Sequence, residues 1–133
     1  MTARFSAVEI VAADMGKSLA FYRSLGLDIP AEADGEQHVE YKVGGGVSIL
    51  WDTVEVVRSI DPDWQPSAGG GVGMAFACDD AAEVDRLYAD LVAAGHTGEM
   101  EPWDAFWGQR YAVVVDPDGN HVDLFAPLPG AAT

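Results

Sequence analysis

Apolar and polar positions along this chain fall into a rhythm that is played twice. In "FSAVEIVAADMGKSLAFYRSLGL" the pattern predicts a strand from Phe5 to Val11 and a helix opened by Asp14, with apolar positions at Leu19, Phe21, Tyr22 and Leu25 and a stop at Gly26. In "VGMAFACDDAAEVDRLYADLVAAGH" it predicts a strand from Val72 to Cys78, then Asp80, then Val84, Leu87, Tyr88 and Leu91 at helical spacing, then Gly95. A tyrosine follows each aspartate by eight residues, at Tyr22 and Tyr88. An N-cap carboxylate accepts free helix N–H groups, and glycine adopts the left-handed conformation that ends a helix.

A hairpin pattern follows each helix. "EQHVEYKV" and "VSILWDT" flank a "GGG" turn, and "QRYAVVV" and "HVDLFAP" flank "DPDGN", where Pro117 and Gly119 suit turn geometry. Between the halves, "IDPDWQPSAGGG" from Ile60 to Gly71 reads as a linker. The expectation is an α+β chain of one domain over residues 1–133, with a module at 1–60, a linker at 61–71 and a second module at 72–129.

Composition narrows the partners. A net charge of −15, with only 7 Lys and Arg, lacks the basic stripe that nucleic acid or an anionic membrane requires. No apolar run is long enough to span a bilayer, and "MTARFSAVEIVAAD" has no h-region with a cleavage site, so a cytoplasmic location is expected. Cys78, the only cysteine, has no internal disulfide partner and receives no chemical role. His96, after the helix stop Gly95, reads as structural.

The motifs "DMGKSLAFYRSLGL" and "WGQRYAVVVDPDGNHVDLFAP", in this order and spacing, resemble the vicinal oxygen chelate superfamily, also called the glyoxalase/bleomycin resistance/dioxygenase family. The resemblance covers essentially the whole chain. It implies two βαβββ modules, each a half-open curved sheet around a pocket, and a homodimer with ligand clefts at its interface. It also implies four metal-ligating strand positions, which by alignment fall on Ala7, Ile49, Gly73 and Asp123. Only Asp123 can coordinate, and one carboxylate is too few, so no metal and no cofactor are expected.

Without ligands for a metal, the likeness moves to the antibiotic-binding branch, whose mitomycin-binding members share "FYRSLGLDIPAEAD" and "WDTVEVVRSIDPDWQ". There a flat quinone is held between a His of the first module and a Trp of the second; the matching positions are His38 and Trp107. The resemblance thus implies a non-enzymatic protein that sequesters a flat aromatic antibiotic or natural product, such as a mitomycin-like quinone or an anthraquinone-fused enediyne, for self-resistance. A metal-independent enzyme of the same fold, or a carrier serving an exporter, are the alternatives.

The stretch "WDAFWGQRY" crowds Trp103, Phe106, Trp107 and Tyr111 into nine positions, offering either a ligand wall or packing for a core or interface. Strand alternation adds candidates. If Ala7, Ile49 and Asp123 share the pocket side, so do Phe5, Glu9, Val47, Trp51, His121 and Phe125. Glu9 and Asp123 would then need a partner, either a polar ligand group or an arginine such as Arg110.

Overall fold

The computed structural model describes residues 2–66 and 71–130. They belong to two compact units, Met1–Arg23 with Leu27–Pro66, and Ser24–Gly26 with Ser67–Thr133.

In the first unit, β1 (Ala7–Ala12) leads into α1 (Met15–Ser24), and the hairpin β2 (His38–Gly44) and β3 (Val47–Thr53) completes a sheet of order β1-β3-β2. Asp14 caps α1 by accepting the Lys17 N–H at 3.0 Å. Gly44, Gly45 and Gly46 all hold positive φ, which only glycine adopts without strain, and so close the hairpin. The β1–β3 pairing is parallel and the β2–β3 pairing antiparallel. Ile10, Trp51 and Val39 stand in one cross-strand row and are buried. Trp51 meets Tyr22 of α1 edge-on at 5.4 Å, which identifies this as the helix face.

In the second unit, β4 (Gly73–Ala77), α3 (Ala81–Ala93), β5 (Thr97–Ala105), β6 (Gln109–Val115) and β7 (His121–Pro127) form a sheet of order β4-β7-β6-β5 with one helix. Ala112, Val114, Val122, Leu124 and Ala126 alternate onto the helix face, where Val84 and Leu91 of α3 are also buried. The β6–β7 turn is tied by Asp116, which accepts N–H groups from Asp118 at 2.9 Å and Asn120 at 2.8 Å. Arg110 joins Asp85 of α3 at 2.8 Å to Asp104 of β5 at 3.0 Å.

Both helix starts and both glycine stops fall where the sequence pattern sets them, with Gly26 and Gly95 at φ 106° and 100°. Asp80 caps α3, its carboxylate 2.8 Å from the Glu83 N–H. Asp80→Ala is expected to cost about 1 kcal/mol of stability, read as a lower urea midpoint at unchanged m-value; no change in midpoint would remove the cap from the account.

Two details differ from expectation. Among the described residues the first unit has three strands where the second has four: residues 28–37 hold a 3-10 turn at Ala31–Gly35 in place of a strand. Pro30 supplies no N–H for a ladder, and Arg23 fixes the segment instead, donating to the Ile29 carbonyl at 2.8 Å and the Pro30 carbonyl at 2.7 Å and pairing with Asp34 at 2.9 Å. Beyond β3, Val54–Ile60 forms a short helix, α2, rather than running on toward a linker. Thr53 caps it by accepting the Val56 N–H, a local bond that outweighs the strand preference of three valines. Of the expected linker, residues 67–70 lie outside the described residues.

Among the described residues no helix is long and apolar enough to cross a membrane. Cys78 is buried, and burial, followed by the charges of Glu83 and Asp79, pushes its thiol up to about 11.

Candidate functional site

Because side chains alternate, strand register decides which residues share a face. Ala7 pairs with Ser48, Glu9 with Leu50 and Val11 with Asp52 across the parallel ladder. Lys42, Glu40 and His38 continue those three rows on β2. The face of the first sheet turned from the helix, its distal face, therefore carries Ala7, Glu9, Val11, Ser48, Leu50, Asp52, His38, Glu40 and Lys42.

This corrects the expected face of β3. Val47, Ile49 and Trp51 lie on the helix face, one residue out of phase with Ala7 and Glu9. The aligned position opposite Ala7 is Ser48, and with a period of two a one-residue offset moves every side chain of the strand across the sheet. Phe5 precedes β1 and is exposed.

A hydrogen-bonded trio occupies the distal face. His38 Nδ1 lies 2.6 Å from Asp52 Oδ1, with the imidazole side chain more than half exposed and the Asp52 side chain 9% exposed. Glu9 shares a hydrogen bond with Asp52, and that bond, then burial, then the Asp52 charge raise the Glu9 carboxyl above the usual carboxylate range, with His38 opposing. Ser48 Oγ donates to Glu40 Oε2 at 2.7 Å.

On the second sheet the expected alternation holds. His121, Asp123 and Phe125 project on the distal face of β7, beside Gly73, Ala75 and Ala77 of β4. One row reads Ala77, Phe125, Tyr111 and Trp103 across four strands, so three aromatic rings stand in register. Trp107, from the β5–β6 turn, is edge-on to Tyr111 at 5.2 Å, Trp103 at 5.6 Å and Phe106 at 4.9 Å. Its indole N–H donates to Gln109 Oε1 at 2.8 Å, while that of Trp103 points to Met100 Sδ at 3.1 Å. Trp107 is nevertheless 47% exposed and Phe106 85% exposed. The turn thus holds one large ring in a fixed orientation and leaves much of it accessible.

Asp123 accepts the Tyr111 hydroxyl, and burial followed by that bond and the Asp123 charge pushes the phenol up to about 12. Glu9 and Asp123 each have a partner within their own sheet, whereas Arg110 is taken by Asp85 and Asp104. His121 Nδ1 pairs with Glu99 at 2.9 Å.

Sequence reasoning missed Asp52, Glu40, Leu50 and Gln109. The signal for Asp52 was present, since it and His38 sit equally far on either side of Gly45. A hairpin centred there sets them opposite one another.

Two sheets, each with its first and last strands parallel and each carrying one helix after the first strand, define a protein of repeated-module α+β class. Residues 4–124 match the Glyoxalase/Bleomycin resistance protein/Dioxygenase superfamily, and the chain belongs to that family. Its fold is similar to that of a glyoxalase/bleomycin resistance protein/dioxygenase family enzyme from Burkholderia phytofirmans PsJN, with TM-score 0.79 and 23% identity over 95% of this chain and 100% of that one. A glyoxalase-related enzyme from Fulvimarina pelagi gives TM-score 0.76 at 19% identity, over 94% and 88% of the two chains. A glyoxalase/bleomycin resistance protein from Albidiferax ferrireducens T118 gives TM-score 0.66 at 26% identity, over 92% and 97%. No curated protein matches the sequence.

The residues do not fit a divalent metal at the positions the family resemblance implies. Ala7 and Gly73 carry no donor atom, Ile49 is apolar and faces the helix, and Asp123 is engaged by Tyr111. Among the described residues no group of three or more His, Cys, Asp or Glu side chains is placed to hold a metal ion.

Proposed function

We propose that this chain binds and sequesters a flat aromatic antibiotic or related natural product without altering it, the ligand resting on the aromatic wall of the second sheet. The observation that carries the reading is the half-exposed Trp107, fixed by three perpendicular rings and one hydrogen bond. A ring already immobilised loses little conformational freedom when a planar ligand stacks on it, so more of the stacking energy appears as affinity. The small residues Gly73, Ala75 and Ala77 leave the β4 side of this face without bulk. The family resemblance to drug-binding members supports the same class of ligand. Quinones and anthraquinone-fused compounds suit the wall, while the net charge of −15 disfavours anionic ones.

The protein acts in this proposal as a homodimer, for which the exposed rings of Phe5 and Phe106 supply apolar surface. Tryptophan-fluorescence titration with a planar quinone panel is expected to saturate at one ligand per chain with submicromolar affinity, about −8 kcal/mol or better, unchanged by a chelator, and the ligand should be recovered chemically intact. Sedimentation should return a dimer. Ligand turnover, loss of binding on metal removal, or a monomer of full affinity would each overturn the corresponding part.

A further inference from the structure

The first sheet presents a second arrangement, which the aromatic wall does not use. His38, Asp52 and Glu9 all belong to the first unit and share one face. Asp52 is buried and receives the imidazole through Nδ1 at 2.6 Å. A hydrogen bond at Nδ1 fixes the tautomer and orientation of an imidazole, leaving Nε2 as the basic nitrogen. With the side chain more than half exposed, that nitrogen is accessible from solvent. Glu9 shares a hydrogen bond with Asp52, and Leu50 and Val11 are the apolar residues of the same face. The remaining charged groups of the face, Glu40 and Lys42, lie in the two rows beyond His38 on the same strand, and Glu40 is held by Ser48.

We propose that the distal face of the first sheet is a general-base site, in which His38 Nε2 removes a proton from a weakly acidic C–H or O–H of an uncharged organic molecule. Asp52 is the positioning residue: it holds the ring and stabilises the imidazolium formed. Glu9 in turn positions Asp52. In the step the substrate X–H bond breaks, its electron pair stays with the substrate, and the proton forms the Nε2–H bond; release of that proton to water restores the base. No oxidant, metal or nucleophile is required. Anionic substrates are disfavoured by the chain's charge and by Glu40 on the same face. The proposal does not rest on drug binding at the second sheet, and a bound compound lacking an acidic hydrogen is held unchanged by it.

The test uses 5-nitrobenzisoxazole, a neutral planar carbon acid. Loss of its ring C–H to a base breaks the N–O bond and yields the coloured 2-cyano-4-nitrophenolate, so the reaction reads base strength and access without any co-reactant. The full chain is expected to accelerate this elimination with saturation. His38→Ala should reduce kcat by about 10²-fold or more, and added imidazole should restore a large part of the loss. Asp52→Asn, which keeps shape while removing charge, should lower kcat by roughly 10²-fold with KM unchanged. Circular dichroism confirms folding of both variants. A wild-type rate equal to that of free imidazole in buffer, or full activity in His38→Ala, would overturn the proposal. So would a loss in His38→Ala that imidazole does not restore, because it would assign the rate to packing rather than to the base.

Discussion

Trp51→Ala is expected to lower the free energy of unfolding by about 3–5 kcal/mol, the range for truncating a large ring in a packed core. The indole is fully buried, paired in its row with Ile10 and Val39 and edge-on to Tyr22 at 5.4 Å. Removing it leaves a cavity on the helix face that the rigid β1–β3 ladder cannot collapse into. Its Nε1–H has no hydrogen-bond partner among the described residues, so Trp51→Phe, which keeps an aromatic ring and removes that donor, should cost clearly less than Trp51→Ala. Chemical denaturation of the three proteins decides the matter: a loss under about 1 kcal/mol for the alanine variant would be too small for a core residue. Any fall in ligand affinity in this variant should track the unfolded fraction, which separates a structural tryptophan from a binding one.

Trp107→Ala should behave in the opposite way. The ring is 47% exposed, so its removal takes away less burial than the loss of Trp51, and the strands that anchor the turn remain paired. Ligand affinity should fall by roughly 1–3 kcal/mol, the scale measured for bases stacked on aromatic side chains. The three perpendicular contacts offer a rival explanation: Trp103, Phe106, Trp107 and Tyr111 could serve only to stiffen the β5–β6 turn. That account predicts a stability loss with no change in binding to the folded protein. Trp107→Phe discriminates further, since it retains a smaller stacking face but loses the bond to Gln109, and its affinity should fall between the other two. Unchanged affinity in Trp107→Ala would return the cluster to a structural role.

The two helix starts were legible because an N-cap aspartate and a terminal glycine act through bonds a few residues away, independent of tertiary context. The distal face of β7 was legible for a related reason: "HVDLFAP" alternates cleanly, so its phase is set by its own residues. "VSILWDT" alternates as well, Val47, Ile49 and Trp51 against Ser48, Leu50 and Asp52, but the pattern does not say which phase turns to the helix, and the alignment put Ile49 on the pocket side. The ladder to Ala7–Ala12 and the contact of Trp51 with Tyr22 reverse that assignment. The reversal hid Asp52 and misplaced three candidates. The absence of a fourth strand in the first unit was likewise beyond local reading, because residues 28–37 are held by Arg23, whose contacts depend on where α1 ends. Asp123 and Glu9 were expected to need partners, and the partners proved to be Tyr111 and Asp52, neighbours supplied by register rather than by sequence proximity.

The state of Cys78 has a practical bearing on these experiments. Its thiol is buried and pushed up to about 11, which disfavours the thiolate at neutral pH. Maleimides and iodoacetamides react through the thiolate, so slow labelling of the native chain is the expected result. A cysteine introduced at an exposed position such as Ser59 would therefore take a fluorophore or spin label selectively, with no need to delete the natural one.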